Sequence, residues 1–146
     1  MVVDASIALA WGLPDESSVY AEAVLEAVEK SALRVPEIWP REIANGLAVA
    51  HLRHRLTHAD QQIFLDALSR LNIQVEQADA STVIRNGIAA AVRYGLTAYD
   101  AAYVDLAFRE ALPLATLDEK CAGRRNDPAS PFSKCRTPPV SRTSAP

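Results

Sequence analysis

Four carboxylates fall at places where they could share one chemistry: Asp4, Glu42, Asp100 and Asp118. Asp4 interrupts an apolar run at the start of the chain, and Asp118 directly follows the apolar run Leu114–Leu117. Glu42 and Asp100 sit in the first turns of predicted helices, after Pro40 and Thr97. In open parallel sheets, ligands lie beyond the carboxyl ends of the strands. Right-handed β-α-β connections carry those ends to one rim, so acids remote in sequence can meet there. Carboxylates crowded in one crevice repel one another and must take up protons or gain a cation. Donors that are all oxygen, with no His or Cys, suit Mg²⁺ or Mn²⁺ rather than zinc. Such an ion polarises a phosphoryl oxygen and lowers the pKa of bound water, which is chemistry for phosphodiester hydrolysis.

Each acid also has a structural role open to it. Glu42 and Asp100 can complement a helix N-terminus, and Thr97-x-x-Asp100 reads as a capping box. Asp118 can cap a following helix. Asp4 is harder to assign a structural role, because burying a lone carboxylate within an apolar strand is costly.

The elements that must position these groups follow from the apolar pattern. Met1–Ile7 reads as a buried strand, broken by Trp11-Gly-Leu-Pro14. Residues 19–32 read as a helix, 33–39 as a short extended segment, and Pro40 opens a helix running to about Arg55. Thr57 with Asp60 opens the next helix, whose residues Ile63, Phe64, Ala67, Leu68 and Leu71 share one face. Residues 72–76 alternate as a strand does. Residues 80–94 are helical by period, with Val83, Ile84, Gly87, Ile88 and Ala91 at helical spacing and Gly95 just past the end. Thr97 caps a helix to about Ala111, and residues 112–117 form a last buried strand. The alternation argues for an α/β fold with a parallel sheet.

The 146 residues make one domain by length, 49% of them hydrophobic. No apolar run is long enough to span a membrane, and no basic-then-apolar leader opens the sequence, so a cytoplasmic protein is expected. Two cysteines, Cys121 and Cys135, are too few for a disulfide scaffold or a zinc site and read as cytosolic thiols. The net charge of −3 is uneven: residues 1–122 hold 17 acids and 10 bases, residues 123–146 one acid and five bases. The acidic part cannot grip nucleic acid by a broad positive field, so positive charge at a phosphodiester must come from a cation or a basic partner. Residues 123–146, rich in Pro, Ser and Arg, read as a flexible tail on a 1–122 domain.

Val-Val-Asp4-Ala-Ser6, Pro40-Arg-Glu42-Ile-Ala-Asn45, Thr97-Ala-Tyr-Asp100-Ala-Ala-Tyr and Leu114-Ala-Thr116-Leu-Asp118 together resemble the PIN domain, and within it the VapC-type toxins of toxin–antitoxin pairs. The resemblance covers about residues 1–120. It implies a three-layer α/β/α sandwich around a central parallel sheet. It also implies a Mg²⁺- or Mn²⁺-dependent endoribonuclease, acting on RNA such as tRNA, neutralised by a VapB-type antitoxin and forming a homodimer. By the same resemblance Asp4, Asp100 and Asp118 would hold the metal, and Glu42 would bind metal or orient the attacking water. Ser6, Asn45 and Thr116 match small polar positions that support the acids; Ser and Thr at strand ends also commonly bond to local backbone. The chain departs from the family after Asp118, where Cys121–Pro131 reads as neither the usual helix nor a strand.

That departure motivates an alternative, a catalytically degenerate PIN-fold protein that binds antitoxin as a decoy. A haloacid-dehalogenase-type phosphatase is disfavoured because Ser6 stands where a second aspartate is needed. A receiver domain is disfavoured because adjacent early acids and a late lysine are missing. The stretch His51–His58 holds all three histidines but no carboxylate placed to complete a metal site, and reads as a solvated helix end. Trp11, Leu13 and Trp39 read as core, or as a groove for an antitoxin helix. Tyr99 can reach the site rim, Tyr103 and Phe108 read as core or dimer contacts, and Asp105 points away from Asp100.

Overall fold

The computed structural model of the chain describes residues 1–118. Its elements are β1 (Val2–Val3), α1 (Ala5–Gly12), α2 (Val19–Val28), β2 (Leu33–Val35), α3 (Trp39–Leu52), α4 (His58–Ser69), β3 (Ile73–Val75), α5 (Ala80–Tyr94), α6 (Ala98–Arg109) and β4 (Leu114–Ala115). The four strands form one parallel sheet in the order β3-β2-β1-β4. Val2 pairs with Arg34 on one side and with Leu114 on the other. Val2, Val3, Leu33, Val35 and Ala115 are fully buried, as strands covered on both faces must be.

The order of the strands fixes the layers. From β1 the chain steps to β2 and then β3 in one direction, with α1–α4 in the connections. It then returns past β1 to β4 through α5 and α6. Right-handed crossovers in opposite directions place their helices on opposite faces, giving the three-layer α/β/α sandwich. α1 packs against α2, α3 and α4, while α6 packs on β1, β4 and α5. Ile7, Val24, Val28, Ile43, Leu47, Phe64 and Leu68 join Tyr103, Val104, Leu106 and Ala107 in one continuous core with the strands.

Helix ends are set by side chains. Thr57 and Asp60 form a reciprocal capping box at α4. Asp79 caps α5 through the backbone amides of Ser81 and Thr82. Gly95, at φ 62, ends α5 in the left-handed conformation that glycine adopts without steric cost. Where α3 crosses α1, a Cβ on Gly46 would lie 2.6 Å from the δ carbons of Leu9, so any larger residue there requires the Leu9 side chain to move.

One sequence expectation is corrected. The first apolar run is not strand to Ile7: β1 ends at Val3, and Ala5–Gly12 is helical. Asp4 turns the chain by accepting the Ser6 amide as the N-cap of α1. A run that is apolar all round has no period to tell a buried helix from a buried strand. On α5, Ala90 and Tyr94 are buried while Ile84 and Ile88 stand exposed with Val92. Ile63 of α4 is likewise exposed, and Phe64 and Leu68 carry the packing. No helix among the described residues is long and apolar enough to cross a membrane. The tail expected over 123–146 and the altered end after Lys120 lie outside the described residues.

Candidate active site

From β1 the chain leads on to β2 on one side, while β4 on its other side is reached through α5 and α6, so the sheet has its switch point between the carboxyl ends of β1 and β4. A cleft of about 700 Å³ opens there, lined by all four acids, Asp4, Glu42, Asp100 and Asp118. Ser6 and Asn45 line it as well, with Arg41, Tyr99 and Tyr103 on its walls and Leu9 and Ile38 beside them.

The acids arrive from four elements. Asp4 follows β1, is only 9% exposed, and accepts the Ser6 amide at 2.7 Å. Burial pushes its carboxyl up, hydrogen bonds from Ser6 and Thr116 pull it back, and the charge of Asp118 raises it again. Glu42, half-buried in the first turn of α3, accepts a short hydrogen bond from the Tyr103 hydroxyl. Burial raises Glu42 most, the Tyr103 bond opposes it, and the charges of Asp4 and Asp100 raise it further. Asp100, in the first turn of α6, accepts the Thr97 hydroxyl at 2.8 Å while its amide bonds to Thr97 Oγ1. Asp118 follows β4, and its amide donates to Thr116 Oγ1 at 3.0 Å.

The supporting polar groups tie the strand exits together. Ser6 Oγ accepts the Leu117 amide at 3.2 Å, linking the start of α1 to the segment after β4. Thr116 is buried, bonding both Asp4 and the Asp118 amide. Asn45 is exposed on the cleft wall.

From the sequence, Tyr103 reads as core or a dimer contact. It is 2% exposed, yet its hydroxyl reaches into the cleft. Burial and the Glu42 carboxylate both drive its phenol far up, so it stays a donor. The signal that identifies it is its place three residues after Asp100, on the same face of α6. Arg41 was also missed; only its position beside Glu42 in the first turn of α3 points to it. Asp105 lies apart, in a smaller cavity of about 70 Å³ with Glu76, Asn86 and Arg109. Arg109 bridges Glu76 and Asp105, each at 2.7 Å.

The histidine stretch takes no part in the cleft. His51 Nδ1 meets the Leu56 carbonyl, and Arg55 pairs with Asp15 and Glu16, bracing the α3–α4 turn. Trp39 is core, and Trp11 donates to the Ala21 carbonyl.

The acidic donors are all oxygen and crowd like charge, and two of them are pushed toward the protonated form by burial and by their neighbours. Among the described residues, no group of three or more His, Cys, Asp or Glu side chains is arranged to hold a metal ion. Local donors hold the acids where they stand, with Asp4 on Ser6, Glu42 on Tyr103 and Asp100 on Thr97.

The family model described as PIN domain matches residues 1–125. The chain is 36% identical over 124 residues to Ribonuclease VapC3 of Pyrobaculum aerophilum, covering 84% of this chain and 92% of that protein. The crystal structure of PAE2754 from Pyrobaculum aerophilum is similar with a TM-score of 0.59 at 27% identity, covering 84% of this chain and 83% of that one.

Proposed function

Because the chain belongs to the PIN-domain family, we propose that it is a divalent-cation-dependent endoribonuclease of the VapC toxin type. The observation that supports this most is the convergence of four carboxylates from four elements on one cleft at the switch point of the sheet. Asp4, Asp100 and Asp118 would hold Mg²⁺ or Mn²⁺. The cation, when bound, supplies charge to the phosphoryl oxygens and acidity to water. Glu42 positions the attacking water through a carboxylate that Tyr103 keeps in place. Ser6 and Thr116 hold Asp4 and the Asp118 segment together, and Asn45 offers a polar group one turn beyond Glu42.

The proposed partners are an RNA substrate, with transfer RNA the first to try, a VapB-type antitoxin and a second copy of the chain, all in the cytoplasm. Exposed apolar side chains, Leu52, Ile63 and the Ile84, Ile88, Val92 row on α5, offer surfaces that protein partners would cover. Residues 123–146 are proposed to be an appended tail rather than part of the nuclease domain.

Cleavage of labelled RNA and of total tRNA, with Mg²⁺ or Mn²⁺ and with chelator, tests the activity. Cleavage that needs the cation and vanishes in Asp100→Asn supports it. Equal cleavage by Asp100→Asn overturns it. The spacing of the acids also leaves room for the decoy reading. Calorimetry separates the two: Mn²⁺ binding that Asp100→Ala removes belongs to the enzyme, and a chain that takes up no Mn²⁺ is the decoy.

A further inference from the structure

Two side chains on the walls of the acidic cleft have no work in its chemistry. Arg41 is exposed, and among the described residues its guanidinium makes no ion pair or hydrogen bond, although four acids line the same cleft. Elsewhere arginines beside acids do pair: Arg34 with Glu110, Arg55 with Asp15 and Glu16, Arg109 with Glu76 and Asp105. Tyr99 is 63% exposed, beside Asp100, with no hydrogen bond of its hydroxyl among the described residues. They stand in the first turns of α3 and α6, the helices that deliver Glu42 and Asp100.

Residues 1–122 carry 17 acids against 10 bases. A polyanion is therefore held by a few local contacts and not by the overall field. A free guanidinium pairs with a phosphate in a bidentate way. A solvent-facing aromatic ring offers a base a stacking surface, and every base has a π-face to meet it. A base inside a duplex is already stacked on both sides and has no face to give.

We infer that Arg41 and Tyr99 are substrate-contacting residues of the cleft. Arg41 takes a phosphate beside the scissile one, and Tyr99 stacks under an unpaired base. The inference rests on the ribonuclease reading for the meaning of the cleft, but its test does not depend on turnover. Binding of a labelled, unstructured oligoribonucleotide is measured by fluorescence anisotropy with Mn²⁺ present, in the full chain carrying Glu42→Gln to suppress cleavage. Tyr99→Ala weakens binding roughly 5- to 100-fold, and Tyr99→Phe restores it. Arg41→Ala weakens binding and lowers the dependence of log affinity on log salt by about 0.7, the share of one phosphate on a single strand. Annealing the strand to its complement removes the Tyr99 effect.

Unchanged affinity for the unpaired strand in both alanine variants overturns the inference, even where the wild-type chain cleaves RNA. Binding that weakens as stated in a wild-type chain that cleaves nothing upholds it and instead removes the nuclease reading. A chain that binds no RNA in any form overturns it too. Both side chains are exposed, so unfolding curves of the variants match wild type.

Discussion

Asp4 serves two ends at once, and substitution can pull them apart. It caps α1 through the Ser6 amide at 2.7 Å, and it is one of four acids facing the cleft. Asparagine keeps the accepting oxygen and caps helices as well as aspartate does, while alanine loses the cap at a cost of about 0.5–2 kcal/mol. Burial and the Asp118 charge already disfavour the ionised carboxyl, so a neutral amide relieves both. In chelator, Asp4→Asn is therefore expected to unfold at or above the wild-type Tm, and Asp4→Ala several degrees below it. A divalent cation reverses the comparison. A ligand at a hundred times its Kd stabilises the folded state by about 2.7 kcal/mol, so saturating Mn²⁺ raises the wild-type Tm. Neither variant gains, and neither cleaves RNA. Thermal unfolding followed by circular dichroism, with chelator and then with Mn²⁺, reads all of this. If Asp4→Asn falls with Asp4→Ala in chelator, or keeps the Mn²⁺ shift, the separation of cap from chemistry is wrong.

The remaining predictions concern groups around that site and at the helix ends. Tyr103→Phe removes the hydroxyl on Glu42 and is expected to cost about 1.5–3 kcal/mol in urea unfolding, as for a bond to a charged group. The hydroxyl holds Glu42 down, so its loss raises that carboxyl further, and the acid limb of the cleavage profile moves to higher pH; an unmoved limb counts against a role for Glu42 in its ionised form. Asp79 is held well below the usual carboxylate range by the hydroxyls of Ser81 and Thr82. Its charge therefore stabilises the fold above its unfolded pKa, and that benefit is lost as pH falls through the depressed folded value. In unfolding measured across pH, the advantage of wild type over Asp79→Asn is constant near neutrality and shrinks below about pH 4. A difference that persists at the lowest pH assigns the effect to something other than charge.

What could be read ahead of the structure divides along physical lines. α5 was bounded correctly at residues 80–94 because its period is long and Gly95 marks the stop. The four acids were legible as a set because each stands at a strand end or helix start, and the topology does the gathering. α1 was misread because Ala5–Gly12 is apolar on nearly every side, and burial on all sides erases the period. That error also hid the capping role of Asp4, which was judged the hardest of the acids to explain structurally. Tyr103 was hidden for the opposite reason: it is core by burial and polar only at its tip, and nothing in the sequence says which way the hydroxyl points. The exposed Ile84 and Ile88 show that an amphipathic period locates an apolar face without saying what covers it.

The bond between Ser6 and Leu117 joins positions 111 apart in the chain. β4 docks beside β1, so the pocket has one wall from the first strand and another from a segment more than a hundred residues later in the chain. A chain still emerging from the ribosome thus carries Asp4, Glu42 and even Asp100 without the last piece that completes their enclosure. Closure over so long a loop comes late in folding. The cleft is therefore complete only once the segment after β4 has docked beside β1.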